Sequence, residues 1–410
     1  MSINFLKNNA AALASLVLMA GCAGNTTEKK PDTDSAKTAT DTVRTTGNYA
    51  PAFKGQTEID SVKTTTAYKV ETIAEKLGRP WAVVVLPGNK LIITDKSGFM
   101  QLLDANGKVL KKITGLPEVD DNGQGGLLDV TPDPDFEKNK TIYWSFSEKY
   151  GAGNCTSVAK GQLNDNDSVI KNPVVIFRAT PALKSEYHFG SRLLFDKNGF
   201  LFVSAGERSV LEGRKQSQYL NSGLGKIFRI TKEGKPAPGN PFIGKADAMP
   251  EIYSYGHRNP QSLDINPVTG DLWEAEFGPR GGDELNLIKP GKNYGWPIIT
   301  YGIEYDGNTI GEGIQQKEGM EQPVYFWDPV ISPGGMVFYT GDAIPEWKNN
   351  LFISGLSSTH LVRLVIKDNK VVGEESLLAD KKQRIRDVAQ LNGKLYAVTD
   401  SGILYLISKN

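Results

Sequence analysis

Cysteine is almost missing from this sequence: Cys22 and Cys155 are the only two, and the first lies beside an apolar N-terminal run. A single cysteine left in the body cannot close an internal disulfide, so packing must hold the fold even where the compartment permits bridges. Histidine is nearly as scarce, with three in 410 residues, and no close His and Cys grouping has metal-ligand spacing. That argues against histidine-rich zinc chemistry. Net charge is absent too, since 47 basic side chains balance 47 acidic ones, and a phosphate backbone finds no field to pull on. Nucleic acid is therefore a poor default partner. No Gly-rich loop follows a strand and opens a helix, so NAD binding in a dinucleotide fold is not indicated. Helical periodicity is almost lacking in the body, whereas Gly and Pro make up about a sixth of the chain. That balance favours many short strands joined by turns.

The one apolar run near the start, Ala10 to Ala20, follows Lys7 and precedes Gly21-Cys22, the order of an export signal, and is too short to span a bilayer as a mature helix. Leu18-Met19-Ala20-Gly21-Cys22 resembles a bacterial lipobox. This implies removal of residues 1–21, acylation of Cys22 and a lipid anchor; Ala23 in place of Asp implies the outer membrane, facing the periplasm. An ordinary secretory signal with an incidental cysteine is the alternative. Residues 22–60, rich in Thr, Lys, Asp and Ala, read as a flexible solvated tether, and 61–410 as the folded body.

The body repeats one pattern: an apolar strand, a polar turn, a second apolar strand. Trp81-Ala82-Val83-Val84-Val85 precedes Leu91-Ile92-Ile93, and Arg192-Leu193-Leu194-Phe195 precedes Leu201-Phe202-Val203. Counting the second strand of each copy from Leu91, Thr141, Leu201, Leu272, Leu351 and Leu395 gives gaps of 50, 60, 71, 79 and 44 residues, a blade-sized spacing with insertions. A lone hairpin cannot bury its apolar face, but a four-stranded sheet between two neighbours can, and radial closure leaves only short edges. The expectation is an all-β six-bladed β-propeller with four-stranded antiparallel blades. The segment from Ala67 to Lys76 is ambiguous and could be the strand that closes the ring. A β-sandwich pair is the alternative, and it leaves the repetition unexplained.

Loops of a propeller meet at one axial mouth, so distant polar segments can form one site. His188, just before the strand at Leu193, has an ordinary pKa near 6.5 and could take a proton at neutral pH; a histidine hydrogen-bonded in a turn explains the segment as well. In His257-Arg258-Asn259-Pro260-Gln261, Arg258 offers a planar cationic fork and Asn259 a donor and an acceptor, for an anion or for bridging blades. Glu276 to Glu284 is a Gly-rich loop with hard oxygen donors of the type calcium uses, although it lacks EF-hand spacing. Alternation places Arg384 and Arg386 on the same side of an extended segment, where they repel unless an anion lies between them or blade carboxylates pair with them.

Taken in order, the segments Gly123-Gln124-Gly125-Gly126-Leu127-Leu128-Asp129, His188-Phe189-Gly190-Ser191-Arg192, Ser204-Ala205-Gly206-Glu207-Arg208, Tyr255-Gly256-His257-Arg258-Asn259-Pro260-Gln261, Gly278-Pro279-Arg280-Gly281-Gly282-Asp283-Glu284-Leu285-Asn286, Asn293-Tyr294-Gly295-Trp296-Pro297 and Arg384-Ile385-Arg386-Asp387-Val388 resemble the pyrroloquinoline quinone (PQQ) dependent aldose sugar dehydrogenases of the glucose/sorbosone dehydrogenase family. The resemblance runs from about Lys69 to Ile407. It implies His188 as general base, Glu207 as a catalytic carboxylate, Gln124 as a quinone contact, and Arg258 and Asn259 around the quinone's reactive carbonyl. It further implies Arg384 and Arg386 facing cofactor carboxylates, Gly278 and Pro279 as carbonyl donors to calcium, and Asp283 and Glu284 organising the metal region. The implied reaction takes the proton of the anomeric hydroxyl of a cyclic aldose onto His188 while C1 delivers hydride to PQQ, giving a lactone, with calcium and Arg258 offsetting the growing charge. The electron acceptor, a quinone or a cytochrome, and a monomer or homodimer state stay open. Two departures stand out: Gly355-Leu356-Ser357-Ser358 replaces a segment that commonly carries a cofactor-binding lysine, and Tyr187 replaces Asn or Asp. A lipid-anchored propeller that binds carbohydrate or protein without turnover, or a calcium-dependent lactone hydrolase, are the competing readings.

Overall fold

The computed structural model describes residues 49–410 except 165 and 167; the leader, Cys22 and most of the expected tether lie outside the described residues. Six four-stranded antiparallel sheets are arranged as blades. Blade 1 comprises β1's chain successors β2 (Pro80–Leu86), β3 (Lys90–Asp95), β4 (Phe99–Asp104) and β5 (Val109–Ile113), where β1 is Tyr68–Ala74. Blade 2 is β6 (Leu127–Pro132), β7 (Thr141–Tyr150), β8 (Gly153–Gln162) and β9 (Lys171–Arg178). Blade 3 is β10 (Leu193–Phe195), β11 (Leu201–Ala205), β12 (Lys226–Ile230) and β13 (Ile252–Tyr255). Blade 4 is β14 (Pro260–Ile265), β15 (Leu272–Glu276), β16 (Asp283–Ile288) and β17 (Tyr325–Trp327). Blade 5 is β18 (Pro333–Phe338), β19 (Leu351–Gly355), β20 (Leu361–Lys367) and β21 (Lys370–Leu377). Blade 6 joins β22 (Ile385–Leu391), β23 (Lys394–Thr399) and β24 (Leu404–Lys409) to β1, so the N-terminal strand closes the ring as the sequence allowed.

The hairpins legible in the sequence are the two inner strands of every blade. They are buried on both faces, as in β11, where all five residues are inaccessible, and so read as continuous apolar runs. Outer strands such as β9 are largely exposed and carry little pattern. The inner strands β2, β6, β10, β14, β18 and β22 contact one another in sequence around the axis, and β22 returns to β2.

A recurring aspartate staples alternate blades to the next. Asp129, Asp264 and Asp387 each precede a β-branched residue of an inner strand, and one carboxylate oxygen accepts a backbone N–H from the inner strand of the following blade: Leu193 at 2.7 Å, Phe338 at 2.7 Å and Val83 at 2.8 Å. On the axis, Arg192 Nη1 lies 3.2 Å from Asp129 and 3.4 Å from Asp387, its Nε donates to Gln261 O, and its guanidinium covers the Trp81 ring. One buried cation thus ties five blades together.

The expected tether reached residue 60, but the chain makes buried contacts with the propeller already at Gln56. Gln56 is fully buried, donating to Pro323 O and accepting from Tyr301 Oη. Val62 N donates to Glu374 O, and Thr64 and Thr66 hydrogen-bond Glu375 and Glu346. Residues 49–66 therefore strap blades 4 and 5 before β1 begins; small polar residues make the contacts, which is why composition alone suggested solvent.

Candidate active site

A cavity of about 520 Å³ is lined by residues of all six blades, a combination only the axis can assemble. That volume falls within the usual range for small-molecule sites. Its apolar floor is the cluster of Trp81, Leu128 and Phe189.

His188 stands in the wall of this cavity on the loop entering β10, with a left-handed backbone (φ 50°). Its N–H donates to Gln124 Oε1 at 2.8 Å, and its Nδ1 lies 2.7 Å from Glu207 Oε1. With the proton on Nδ1, Nε2 keeps its lone pair and has no partner among the described residues. Burial, reinforced by the Arg258 charge and only partly opposed by Glu207, pushes the imidazole down to about 4. The ring is therefore neutral at pH 7 and able to accept a proton. Glu207 is 1% exposed and does not line the cavity; its second oxygen accepts Ser209 N, so it orients and polarises the histidine rather than meeting a ligand. Arg208 supports the loop from below, donating to Tyr187 O, Ser185 O and Asn154, with its guanidinium 3.8 Å from the Phe189 ring.

Arg384 and Arg386 share the cavity with His188, so the sequence-distant base and cation pair do converge. Their proximity does not itself require a ligand: Asp400 lies between them and accepts Arg384 Nε at 2.8 Å and Arg386 Nε at 2.7 Å. The carboxylate sits a turn beyond β23 and was not identified in the sequence. It neutralises one of two positive charges and leaves Arg386's terminal nitrogens without an acceptor among the described residues. Two further cations line the same cavity, Arg280 of the Gly-rich loop and Lys96, which went unnoticed and enters from the β3–β4 turn.

Arg258 lies one layer below, in an adjoining crevice, where its Nη1 donates to Phe277 O at 3.0 Å and Gly278 O at 2.6 Å, while its buried Nε has no partner. Asn259 is fully buried; its Oδ1 accepts Gly190 N and Gln261 Nε2, and its Nδ2 is unpartnered. Ser357 is exposed and donates to Val330 O, and Leu356 presents an apolar side chain to the cavity. Tyr187 is half-exposed.

The expected metal loop divides into two parts. Gly278 and Pro279 line the cavity, but both oxygens of Asp283 are engaged by backbone donors, Gly278 N at 2.8 Å and Ser332 N at 2.6 Å. Burial nonetheless raises Asp283 to about 7. Asp283 is therefore a loop organiser. Behind it, Glu274 and Glu276 of β15 face Asn286 and Glu284 of β16 across one antiparallel pair, all on the same side because side chains alternate. Asn286 Nδ2 lies 3.1, 3.4 and 3.2 Å from Glu274, Glu276 and Glu284. Glu276 Oε2 also accepts the N–H groups of Arg258 and Asn259, and His257 Nδ1 lies 3.3 Å from Oε1. Burial and mutual repulsion hold Glu274 and Glu284 well above the ordinary carboxylate range. Glu274 Oε1 and Asn286 Oδ1 have no hydrogen-bond partner, and Glu274, Glu276 and His257 converge closely enough to hold one ion. Alternating acids in the otherwise apolar β15 are the signal that could have revealed this nest.

The chain matches the family model described as glucose/sorbosone dehydrogenase over residues 77–406 and belongs to that family. It is 41% identical over 345 residues to the aldose sugar dehydrogenase YliI of Escherichia coli K12, covering 83% of this chain and 92% of that protein. A crystal structure of a glucose dehydrogenase, 42% identical, superposes with a TM-score of 0.79 over 83% of this chain and 99% of that one. The PQQ-bound aldose sugar dehydrogenase of Streptomyces coelicolor, 28% identical, gives 0.70 over 84% and 99%. The chain is thus a quinoprotein oxidoreductase acting on aldose-type substrates.

Proposed function

We propose that this family member oxidises the anomeric C1 hydroxyl of cyclic aldoses to lactones, with PQQ as the resident oxidant and calcium as its supporting ion. The observation that carries the reading is the pairing of a neutral, Glu207-oriented His188 with two arginines in one axial cavity. The donor set fits the group: a polyanion of planar shape meets cations on blades 6 and 1 and an apolar floor, while the unpartnered donors Arg258 Nε and Asn259 Nδ2 lie buried behind the cavity wall. When bound, PQQ supplies an electrophilic quinone carbonyl that accepts a hydride.

The chain's own groups account for the rest. His188 Nε2 takes the proton of the C1 hydroxyl, and Glu207 holds the opposite nitrogen and stabilises the imidazolium that results. Gln124 fixes the histidine's backbone, and Arg258 and Asn259 hold a donor surface beside it. A calcium would be held by Glu274 and Glu276, whose oxygens converge with His257 Nδ1, beside Glu284 and the unpartnered Asn286 Oδ1, a set in which oxygen donors predominate. There it would neutralise buried charge and stiffen the turn that carries Arg258 and Asn259.

The export signal and acylated Cys22 belong to the same reading, which puts the propeller on a lipid anchor at the outer membrane facing the periplasm; among the described residues no helix is long and apolar enough to cross a membrane. Reconstitution tests the assignment. Titration with PQQ and calcium should show saturable uptake, and aldose should then reduce an artificial dye in the wild type but not in H188A. Uptake without sugar-dependent reduction would falsify the catalytic role.

A further inference from the structure

Lys96 has a fixed backbone and an unpaired charge. Its N–H donates to Arg79 O, and its carbonyl accepts Leu127 N, locking the β3–β4 turn against the first strand of blade 2. The fit is close: a Cβ on Gly126 would lie 2.3 Å from Lys96 O. The side chain lines the axial cavity, and Nζ has one partner, the Gly123 carbonyl at 2.7 Å. No carboxylate among the described residues forms an ion pair with it. Partial burial lowers its pKa, the like charges of Arg386 and Arg79 lower it further, and Asp400 and Asp121 only partly compensate. Arg79 is itself paired with Asp121, and Asp400 is shared by Arg384 and Arg386. Blades 6 and 1 therefore present three cations and one carboxylate to one side of the cavity. Folding alone gives no reason to hold an ammonium there, since desolvation and repulsion both oppose it.

Resting on the quinone reading of this cavity, we propose that Lys96 is a further cofactor-binding residue, pairing with a carboxylate of the tricarboxylate quinone and supplying from blade 1 the charge that Ser357 does not supply from blade 5. The placement suits the role. Blades 6 and 1 lie across the ring from blades 3 and 4, so an anion held at Lys96, Arg384 and Arg386 would share the cavity with His188 of blade 3. The Gly123 hydrogen bond keeps the ammonium aimed while the cavity holds no anion.

The test is calorimetric titration of the calcium-loaded, quinone-free protein with PQQ, read as Kd. A charge-assisted contact predicts that K96Q, which can still donate to Gly123 O, binds about 10- to 100-fold more weakly, while K96R stays within about 3-fold of wild type. The gap between wild type and K96Q should narrow in 0.5 M salt, because only a charge is screened. Adding S357K to K96Q should recover much of the loss. Wild-type affinity in K96Q overturns the assignment of Lys96 and leaves the quinone reading intact. No saturable uptake by the wild type itself overturns that reading, and this inference with it.

Discussion

Two buried clusters of acidic side chains lie in neighbouring layers of the propeller and have opposite electrostatics. On the axis, Asp129 and Asp387 share the guanidinium of Arg192 and accept backbone N–H groups from adjoining blades, so every charge has a counter-charge or a donor. In blade 4, Glu274, Glu276 and Glu284 crowd around one amide, with two oxygens unpartnered and no lysine or arginine among the described residues paired to them. The first arrangement is complete without a ligand and serves architecture. The second is incomplete: burial and mutual repulsion favour the protonated form of Glu274 and Glu284, and two oxygens still lack a partner, which leaves the cluster open to a cation from outside the chain. The same criterion separates Arg192 from Lys96: the first is buried with its anions built in, whereas the second is only partly buried and has no carboxylate partner among the described residues.

The comparison can be broken by variants that should respond differently on its two sides. The largest effect is expected at the base: H188A should lower turnover by about 10²- to 10⁴-fold, with a smaller fall in melting temperature because the buried Glu207 oxygen loses its partner. On the axis, R192M leaves two aspartates buried without a partner and should destabilise the protein by about 3–5 kcal/mol in chemical denaturation. A loss below about 1 kcal/mol would mean that the clasp is not what holds the inner strands. Chelation should act on the nest and spare the clasp. At 100 times Kd a specific ion adds about 2.7 kcal/mol, so calcium should raise the melting temperature of wild type and R192M alike, whereas E274Q should lose most of that increment.

The smallest effect concerns protonation. The folded pKa of His188 is depressed to about 4, from an ordinary value near 6.5, so the folded protein binds fewer protons than the unfolded chain between those limits. The stability held by the neutral ring is complete above about pH 6.5 and is lost as pH falls through 4. Imidazole ¹⁵N shifts of the quinone-free protein should report a neutral ring from pH 7 to pH 5. E207Q should shift the titration lower still, since Glu207 is a group that raises it. A midpoint near 6.5 would show that the ring is solvated and the cavity open to water.

Much of this was readable in the chain. Inner strands buried on both faces must be apolar throughout, and so the six hairpins and their spacing were visible, whereas the segment from Ala67 to Lys76 stayed ambiguous until pairing with β24 showed it to be the closing strand. His188, Arg258, Arg384 and Arg386 were found because they stand in short polar segments beside strands. Asp400, Lys96 and Glu274 were not found: the first two lie in turns where a charged residue is ordinarily solvated, and Glu274 stands inside the apolar run of β15, away from the Gly-rich loop that drew attention to Glu276. Residues 49–60 were read as tether for the same reason: Gln56 is polar, and nothing local says that Pro323 and Tyr301 will enclose it.

The sequence by itself determined the blades, their number and the polar segments of the mouth, since these follow from local alternation and from turns that neighbours in the chain specify. Tertiary structure alone decided which charges are compensated. Whether a carboxylate or an ammonium is paired, shared or left over depends on groups brought together by ring closure from hundreds of residues away, as with Val83 and Asp387, and local pattern carries no record of that pairing.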